Sequence, residues 1–466
     1  MKQIKIMVFS KRKIKRAFLI FTSSVIGIYS LIALYFVNHF YFHTEINGVN
    51  VSLKAHDNIS NIIGQFILDY KLQLIERYGD TEVIMSQDIG MKYNKNINIS
   101  QVTAKQNPFL WITSIFGSNT YCINNLYIYD KILLVNKINS LKCINGNIIE
   151  PQNVSFKYSD GSYNIIKEIY GNKINTDHFI KTINLSISTG KTKLDLDSMK
   201  CYEYPRYTVN SEKTFQTEKL LNKYISAKIA YQFGSIVEQV DRTIINQWLS
   251  VDENLEVVIN KQAVAKYITA LSKKYNTVGI TREFQSATGK KIELKGGIYG
   301  WKINCDSETE ALYNNILNAD TIEREPAYSQ KASTREGNEI RNTYIEINIT
   351  TQHLWFYKDG KLITQGSIVT GNPNRNNATV IGAYMLNYKQ KKATLSGPGY
   401  EANVTYWMPF FGNIGLHDAP WRHSFGGEIY KRNGTHGCVN LPLYLAKTIY
   451  ENIEEGTPVI VYEEDK

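Results

Sequence analysis

The chain has 466 residues, of which 43% are apolar and 21% are charged, and its net charge is +10 at pH 7. At about 150 residues per domain, this length predicts about three domains. The proportions are typical of folded material and exclude a disordered or fibrous chain. Seven basic residues and no acidic one lie within the first 16 positions, so the rest of the chain carries only +3. A nucleic-acid-binding protein has its basic patch on the folded part, so this distribution argues against a nucleic-acid partner.

An uncharged apolar run, Ala17–Val37, follows the basic residues. It is long enough to span a bilayer as a helix. A cleaved signal peptide is the alternative, but the run exceeds a usual signal-peptide core, and no small-x-small cleavage site follows it at Asn38–Ile46. The pattern predicts a cytoplasmic basic tail over 1–16 and a retained transmembrane helix over 17–37, with the N-terminus inside by the positive-inside rule. Everything from about Phe40 onward is then extracytoplasmic.

Two segments of the middle region resemble two later ones. Ile169–Asn175 (IYGNKIN) is echoed by Ile298–Asn304 (IYGWKIN), and Glu203–Tyr207 (EYPRY) by Arg324–Tyr328 (REPAY). The offsets are 129 and 121 residues, which is the size of a domain and not of a solenoid repeat. They predict two related α+β modules, over 45–210 and 211–330.

Local patterns predict elements inside the second module and after it. Leu255–Asn260 is expected to be a strand, and Lys261–Tyr275 a helix with apolar residues at helical spacing. The polar stretch Ser329–Arg341 is expected to be a linker, although it lacks the Gly/Ser bias of a fully flexible one.

The last 125 residues or so have a different pattern. Thr343–Thr350 alternates strictly between apolar and polar residues, which predicts a half-buried strand. Asp359-Gly360 predicts a hairpin turn, because such a turn needs positive φ. A helix over Leu441–Glu455, with Asn440 as a possible N-cap, and a final strand over Pro458–Tyr462 are expected to follow. We therefore expect a mainly-β domain over 343–462, β-sandwich-like with one or two helices, and an α+β multidomain protein as a whole.

The cysteines form no C-x-x-C pair, so zinc-ribbon and thioredoxin-like sites have no support. They are Cys122, Cys143, Cys201, Cys305 and Cys438. An odd number on the outer side of a membrane leaves at least one free thiol. A Cys122–Cys143 disulfide stays open, and buried free thiols are favoured slightly over it.

Cys438 is a candidate nucleophile because His417, His423 and His436 lie within 20 residues just before it. His436 and Cys438 are two apart, so on a strand they would face the same side. A helix beginning just after Cys438, together with nearby imidazoles, would lower the pKa of the thiol. Gly437 would leave the backbone accessible to a substrate. The alternatives are an inert buried thiol and a zinc site, although these spacings match no familiar ligand pattern. The residues alone do not decide whether His417 or His436 is the base.

The segment His417–Asn440 resembles the active-site signature of the L,D-transpeptidase catalytic domain. That signature is a histidine, a spacer of about 14 to 17 residues, and then Ser or Thr followed by His-Gly-Cys-x-Asn. Here 17 residues separate His417 from Thr435–Asn440 (THGCVN). The preceding context is also similar to the family, at Val369–Asn372 (VTGN), Gly397–Tyr400 (GPGY) and Ile414–His417 (IGLH).

One departure is Thr379–Gly382 (TVIG), where the family commonly has Thr-Pro-Thr-Gly; it concerns local turn geometry. The resemblance covers roughly 343–462. The two upstream modules resemble the peptidoglycan-binding domains that accompany such catalytic domains in Gram-positive bacteria.

The resemblance implies roles for individual residues. Cys438 would be the nucleophile and His417 the base, with its imidazole oriented by the backbone carbonyl of Asp418. His436 would stabilise charge or position the thiolate, and the N–H groups of Gly437 and Cys438 would lie near the oxyanion. Asn440, Trp421 and Tyr400 would contact the substrate or shape the pocket, although plain packing is an equal alternative for the two aromatic residues. His423 has no implied role.

These roles predict a membrane-anchored enzyme that forms 3→3 cross-links between peptidoglycan stem peptides, with a tetrapeptide donor and a diamino-acid acceptor, and without metal or cofactor. Three alternatives stay open to different degrees. They are an L,D-carboxypeptidase on the same fold, a non-catalytic wall-binding protein, and a papain-like protease. The intact His417, His436 and Cys438 argue against the second, and the missing local signature and different chain order argue against the third.

Overall fold

The computed structural model describes residues 11–97, 99, 102, 104–397 and 400–464, without the side chain of Tyr400. The predicted α+β multidomain fold is confirmed, because helices and strands are mixed along the chain and the C-terminal domain is β-rich. Two compact units are present: residues up to Ser155 with Ile165–Thr214, and Phe156–Asn164 with Phe215–Lys466. The second unit contains both the second predicted module and the C-terminal domain, so the domain boundaries drawn from the sequence stay predictions.

The first helix spans Lys11–Tyr35, and most of its apolar side chains are exposed. By length and composition it could cross a membrane. It begins before the predicted Ala17 and ends at Tyr35, two residues before the predicted Val37, while residues 1–10 of the predicted tail lie outside the described residues.

The first unit contains a three-stranded sheet with Lys71–Ile75 at its centre. Thr81–Met85 pairs antiparallel with this strand and Lys193–Asp195 pairs parallel. The helix Thr176–Ser188 buries Phe179 and its neighbours in the core of the same unit. The other strands are Thr44–Ile46, Val49–Asn50, Lys92–Tyr93, Asn119–Tyr121 and Tyr127–Ile128, and the other α-helices described are Ile59–Asp69, Lys131–Asn139 and Lys142–Asn145. Short 3-10 helices lie at His56–Asn58, Ser86–Ile89 and Pro108–Ile115.

All five cysteines are free. Cys143 and Cys201 are buried, as predicted for unpaired thiols, whereas Cys122 is exposed, so its predicted burial is wrong.

The second unit begins with a module built on the sheet Ile236–Val240, Lys228–Phe233 and Thr321–Arg324. The predicted helix Lys261–Tyr275 is confirmed, while the strand before it is shorter than predicted, at Val257–Ile259. Further helices are Glu212–Tyr224, Arg242–Ile245, Asn246–Trp248 (3-10) and Cys305–Asn318, and further strands are Leu249–Val251, Arg282–Gln285, Lys291–Leu294, Lys302–Ile303 and Tyr328–Gln330. The hairpin Ser155–Ser159 and Ser162–Ile166 precedes them, and its Tyr163 packs in the core of this module.

The first sequence echo is a structural repeat. Gly171 and Gly300 both have positive φ, +64° and +140°. A Cβ would lie 2.2 Å from the Ile149 carbonyl oxygen at Gly171, and 2.5 Å from the Thr277 carbonyl oxygen at Gly300. Because backbone atoms lie so close, only glycine fits at either position.

The second echo aligns the wrong residues. Ile174 bridges to Tyr202, and Ile303 pairs with Tyr328. Tyr328 therefore corresponds to Tyr202, whereas the sequence comparison aligned it with Tyr207. The match between the two five-residue segments EYPRY and REPAY was too short to align the two modules correctly.

The C-terminal domain consists of two sheets with a buried core between them. In order, the five-stranded sheet contains Lys361–Ser367, His353–Lys358, Tyr344–Asn348, Pro458–Tyr462 and Gly382–Met385, and the four-stranded sheet contains Gln390–Gly397, Tyr400–Phe411, Ile414–Asp418 and Val439–Leu441. The helices are Pro373–Arg375 (3-10), Ile429–Asn433 and Leu443–Asn452. The Asp359-Gly360 turn, with φ of +52° and +79°, and the final strand Pro458–Tyr462 are confirmed.

The strand Tyr344–Asn348 is buried on both faces, so the half-buried prediction is wrong. Glu346 and Asn348, on its polar side, have 0% exposure. A carboxylate oxygen of Glu346 accepts hydrogen bonds from the Ala287 N–H at 2.8 Å and the Tyr462 hydroxyl at 2.6 Å. The alternation predicted a solvated face, which the hairpin around Ala287 from the preceding module covers instead. Burial raises the pKa of Glu346.

The stretch predicted as a linker, Ser329–Arg341, is packed. Its first residues belong to a strand paired with Lys302–Ile303. Ile340 is buried, and Glu339 forms a buried ion pair with Arg282 at 2.6 Å. The polar composition therefore reflects buried ionic contacts and not free mobility.

Gly297→Ala is expected to destabilise the second unit by about 3 kcal/mol, because it combines strained φ with a backbone clash. Gly297 has φ of +85°, and a Cβ would lie 2.0 Å from the Ala383 carbonyl oxygen. Its neighbour Gly296 is a matched control, with φ of +81° and nothing within 4 Å. Thermal unfolding of the full chain in detergent should show a much larger loss for the first variant; equal losses would contradict a close module–domain contact.

Candidate active site

Two neighbouring strands of the four-stranded sheet bring the predicted residues together. Ile414–Asp418 pairs parallel with Val439–Leu441, so that His417 lies opposite Asn440. Cys438 directly precedes the second strand. The sheet thus joins residues that are about 20 positions apart in the chain.

The helix predicted just after Cys438 begins later. It spans Leu443–Asn452 with Pro442 as its N-cap, and Asn440 lies in the strand. Asn440 is therefore not the cap, and the predicted helix start just after Cys438 is wrong. The pattern placed the helix too early because a short apolar strand and a helix start look alike in sequence.

Cys438 is half-buried, and its Sγ donates to the Asn413 carbonyl oxygen at 3.4 Å. It packs beside Trp407 and its apolar neighbours. Desolvation raises the pKa of the thiol, although a backbone N–H at Gly415 acts in the opposite direction. The predicted lowering of the thiol pKa is therefore wrong for this state, and a proton acceptor is needed to form the thiolate.

His417 is buried, with 4% exposure, and both of its ring nitrogens have partners. Its Nδ1 lies 2.9 Å from the Asp418 carbonyl oxygen. A carbonyl only accepts, so Nδ1 carries the hydrogen and Nε2 is the unprotonated acceptor. Burial lowers the pKa of His417, which keeps the ring neutral. These are the properties of a general base, and the role itself stays a prediction.

Asn440 and Arg422 extend this contact. The Asn440 Nδ2 donates to His417 Nε2 at 3.0 Å, and its Oδ1 accepts from Arg422 Nε at 2.7 Å. Arg422 also donates through one terminal nitrogen to the Asn433 carbonyl oxygen at 2.7 Å. Sequence reasoning missed Arg422; its only signal was a basic residue five positions after His417.

The turn before Cys438 is held by two threonines. Gly437 has φ of +125°, and its N–H donates to the Thr435 hydroxyl at 3.0 Å. The Thr379 hydroxyl donates to the Gly437 carbonyl at 2.8 Å. This bond links the TVIG segment, which differs from the family pattern, to the site. Since the Gly437 N–H already has an acceptor, its role at the oxyanion stays a prediction.

The Asp418 carboxylate is fully buried and accepts from the Thr405 and Tyr406 N–H groups, at 2.8 and 2.7 Å. It therefore fixes the strand next to His417, while its carbonyl contacts the imidazole.

A cavity of about 770 Å³ joins these residues. Its lining includes Cys438, His417, His436, Asn440, Trp421 and Arg422. The Trp421 ring is 48% exposed and lies 6.0 Å from the His417 ring. The side chain of Tyr400 lies outside the described part of the chain, so its predicted contact stays open. Among the described residues, no group of three His, Cys, Asp or Glu side chains is placed to hold a metal ion.

Comparison with known proteins identifies the family. Residues 342–461 match the family model described as "L,D-transpeptidase catalytic domain", and residues 82–195 and 207–323 match the one described as "Putative peptidoglycan binding domain". The solved structure of a mutant of the Enterococcus faecium L,D-transpeptidase is 34% identical, with 54% of this chain and 100% of that chain covered and a TM-score of 0.43. The chain belongs to the L,D-transpeptidase family.

Other matches to L,D-transpeptidases cover a smaller part of this chain. The catalytic domain from E. faecium acylated by ertapenem is 39% identical, over 26% of this chain and 98% of that chain, with a TM-score of 0.25. The protein named "Putative L,D-transpeptidase YciB" from Bacillus subtilis (strain 168) is 24% identical over 129 residues, which are 26% of this chain and 66% of that protein. This chain thus spans about two thirds of the length of that relative.

Proposed function

We propose that this protein is a peptidoglycan L,D-transpeptidase that forms 3→3 cross-links through a thioester on Cys438. The observation that carries the proposal is that His417, with Nε2 fixed as the acceptor, lines the same cavity as Cys438. A thiol with a raised pKa needs such a base to become a nucleophile.

In the first step, His417 Nε2 takes the thiol proton as Sγ attacks the carbonyl carbon of the third stem-peptide residue. The carbon–nitrogen bond to the terminal D-Ala then breaks, and the imidazolium returns the proton to the leaving amine. The products are a thioester and free D-Ala, so no external energy source is used.

In the second step, the side-chain amine of a diamino acid in a neighbouring stem attacks the thioester carbon. Its proton passes to His417 and then to the departing sulfur, which regenerates the thiol and leaves a new amide. His436 lines the cavity and is proposed to stabilise the developing charge. Asn440 must release Nε2 before the thiol approaches, because its amide occupies that acceptor in the free protein.

The rest of the chain supports a membrane-anchored function at the cell wall. The apolar helix Lys11–Tyr35 and the basic residues around its start fit a single-pass anchor with the N-terminus in the cytoplasm. The two matches to peptidoglycan-binding domains support peptidoglycan as the partner of the upstream modules. We further propose carbapenems as inhibitors, in line with the ertapenem-acylated relative.

Product analysis tests this function. The full chain in detergent, incubated with disaccharide-tetrapeptide, is expected to release D-Ala and yield a 3→3 linked dimer by mass spectrometry. Tripeptide without dimer would identify the alternative L,D-carboxypeptidase, in which water replaces the amine. No turnover at all would favour the other alternative, a non-catalytic wall-binding protein.

A further inference from the structure

Arg422 is a positive charge in the wall of the cavity, and no carboxylate of the described residues forms an ion pair with it. Its side chain is half-buried, and its two hydrogen bonds go to uncharged oxygens, of Asn440 and Asn433. Among the described residues, it forms no ion pair within 4.0 Å. Desolvation lowers its pKa, as expected for a cation that is partly removed from water without a counter-charge.

The cavity itself offers little negative charge. Glu401 is the acidic residue among the described residues that line it, and it lies in the strand Tyr400–Phe411, where it pairs with Ser396. Asp418 is not among the residues that line the cavity, and its Oδ1 accepts hydrogen bonds from the Thr405 and Tyr406 N–H groups. A partly desolvated cation is costly unless an anion pairs with it, so the cavity favours an anionic ligand group beside Arg422.

The position of Arg422 relative to His417 indicates which group that is. Only the Asn440 side-chain amide separates the guanidinium from His417 Nε2. In the proposed reaction, the leaving amine must reach Nε2 to receive its proton. In a donor that ends one residue beyond the attacked carbonyl, the leaving group is a single amino acid. Its Cα carries both the leaving amine and the terminal α-carboxylate, so the two groups lie close together.

We propose that Arg422 binds the terminal α-carboxylate of the donor stem, so that the site selects donors ending one residue after the attacked carbonyl. The inference rests on the proposed function and adds a substrate-binding residue to it. The second terminal nitrogen of the guanidinium makes no hydrogen bond to a described residue, so it can donate to a carboxylate oxygen. A longer donor would place an uncharged amide at this point.

The test compares two donors that differ only at this group: disaccharide-tetrapeptide with a free terminal carboxylate, and the same compound with a terminal carboxamide. With the full chain in detergent, kcat/KM is expected to be on the order of 30-fold higher for the acid, as for one charge-assisted contact. In Arg422→Gln this preference is expected to fall to about 1, and Arg422→Lys should retain part of it.

Arg432→Gln is the matched control, because Arg432 is exposed on the short helix Ile429–Asn433 and does not line the cavity. It should keep the full preference. Equal turnover of both donors by the unchanged protein would overturn the inference, even if no variant folds. A preserved preference in Arg422→Gln, with both donors slowed alike, would also overturn it and leave Arg422 a positioning residue for Asn440. No turnover of either donor would refute the proposed function itself.

Discussion

Replacing Cys438 by alanine is expected to abolish covalent labelling by a carbapenem and to lower donor turnover on the order of 10⁵-fold, because no other group takes the place of the nucleophile. Intact-mass measurement of the full chain after incubation with a carbapenem checks this. The unchanged protein should gain the mass of one inhibitor molecule, and the variant should gain none.

Cys122→Ser is the control for this experiment, because Cys122 is an exposed free thiol far along the chain from the signature. Its labelling should equal that of the unchanged protein. Labelling of Cys438→Ala to the same extent would show that another residue is acylated and would refute the thioester mechanism.

Replacing His417 by glutamine is expected to slow acylation at pH 7 by about 10³-fold, the range of a lost general base. The loss should depend on pH. Because the pKa of Cys438 is raised, little thiolate exists at neutral pH, and the variant depends on that small fraction. Its rate should therefore increase about tenfold per pH unit up to the thiol pKa, so the gap to the unchanged protein narrows as pH increases.

The unchanged protein should behave differently on the acid side. The lowered pKa of His417 keeps the imidazole neutral below the usual histidine range, so its acylation rate should fall only at pH values below about 6.5. Stopped-flow acylation by a carbapenem between pH 5 and pH 9, in about one-unit steps, measures both profiles. His423→Gln, at an exposed position without a proposed role, should match the unchanged protein. A constant ratio between His417→Gln and the unchanged protein at every pH would exclude His417 as the base.

The site residues differ in how much of their role could be predicted from the sequence. Cys438 stands in a specific signature, but its local pattern also suggested a helix start and a lowered thiol pKa, and both were wrong. Local spacing carries no information about desolvation, which comes from Trp407 and its neighbours packing around the sulfur. Arg422 could not be found either, because its importance lies in contacts with Asn440 and Asn433, which are 18 and 11 positions away.

The sequence by itself determined the family, the apolar helix, the turn at Asp359-Gly360 and the helix Lys261–Tyr275, because each depends on a short motif or a local periodicity. Only the tertiary structure decided which polar residues are buried: Glu346 lies on the polar face of an alternating strand, yet a hairpin from the preceding module covers it. The tertiary structure also decided the protonation of the site. The parallel pairing of two strands places Asn440 against His417, and that long-range contact, together with burial, determines where the protons of the imidazole and the thiol reside.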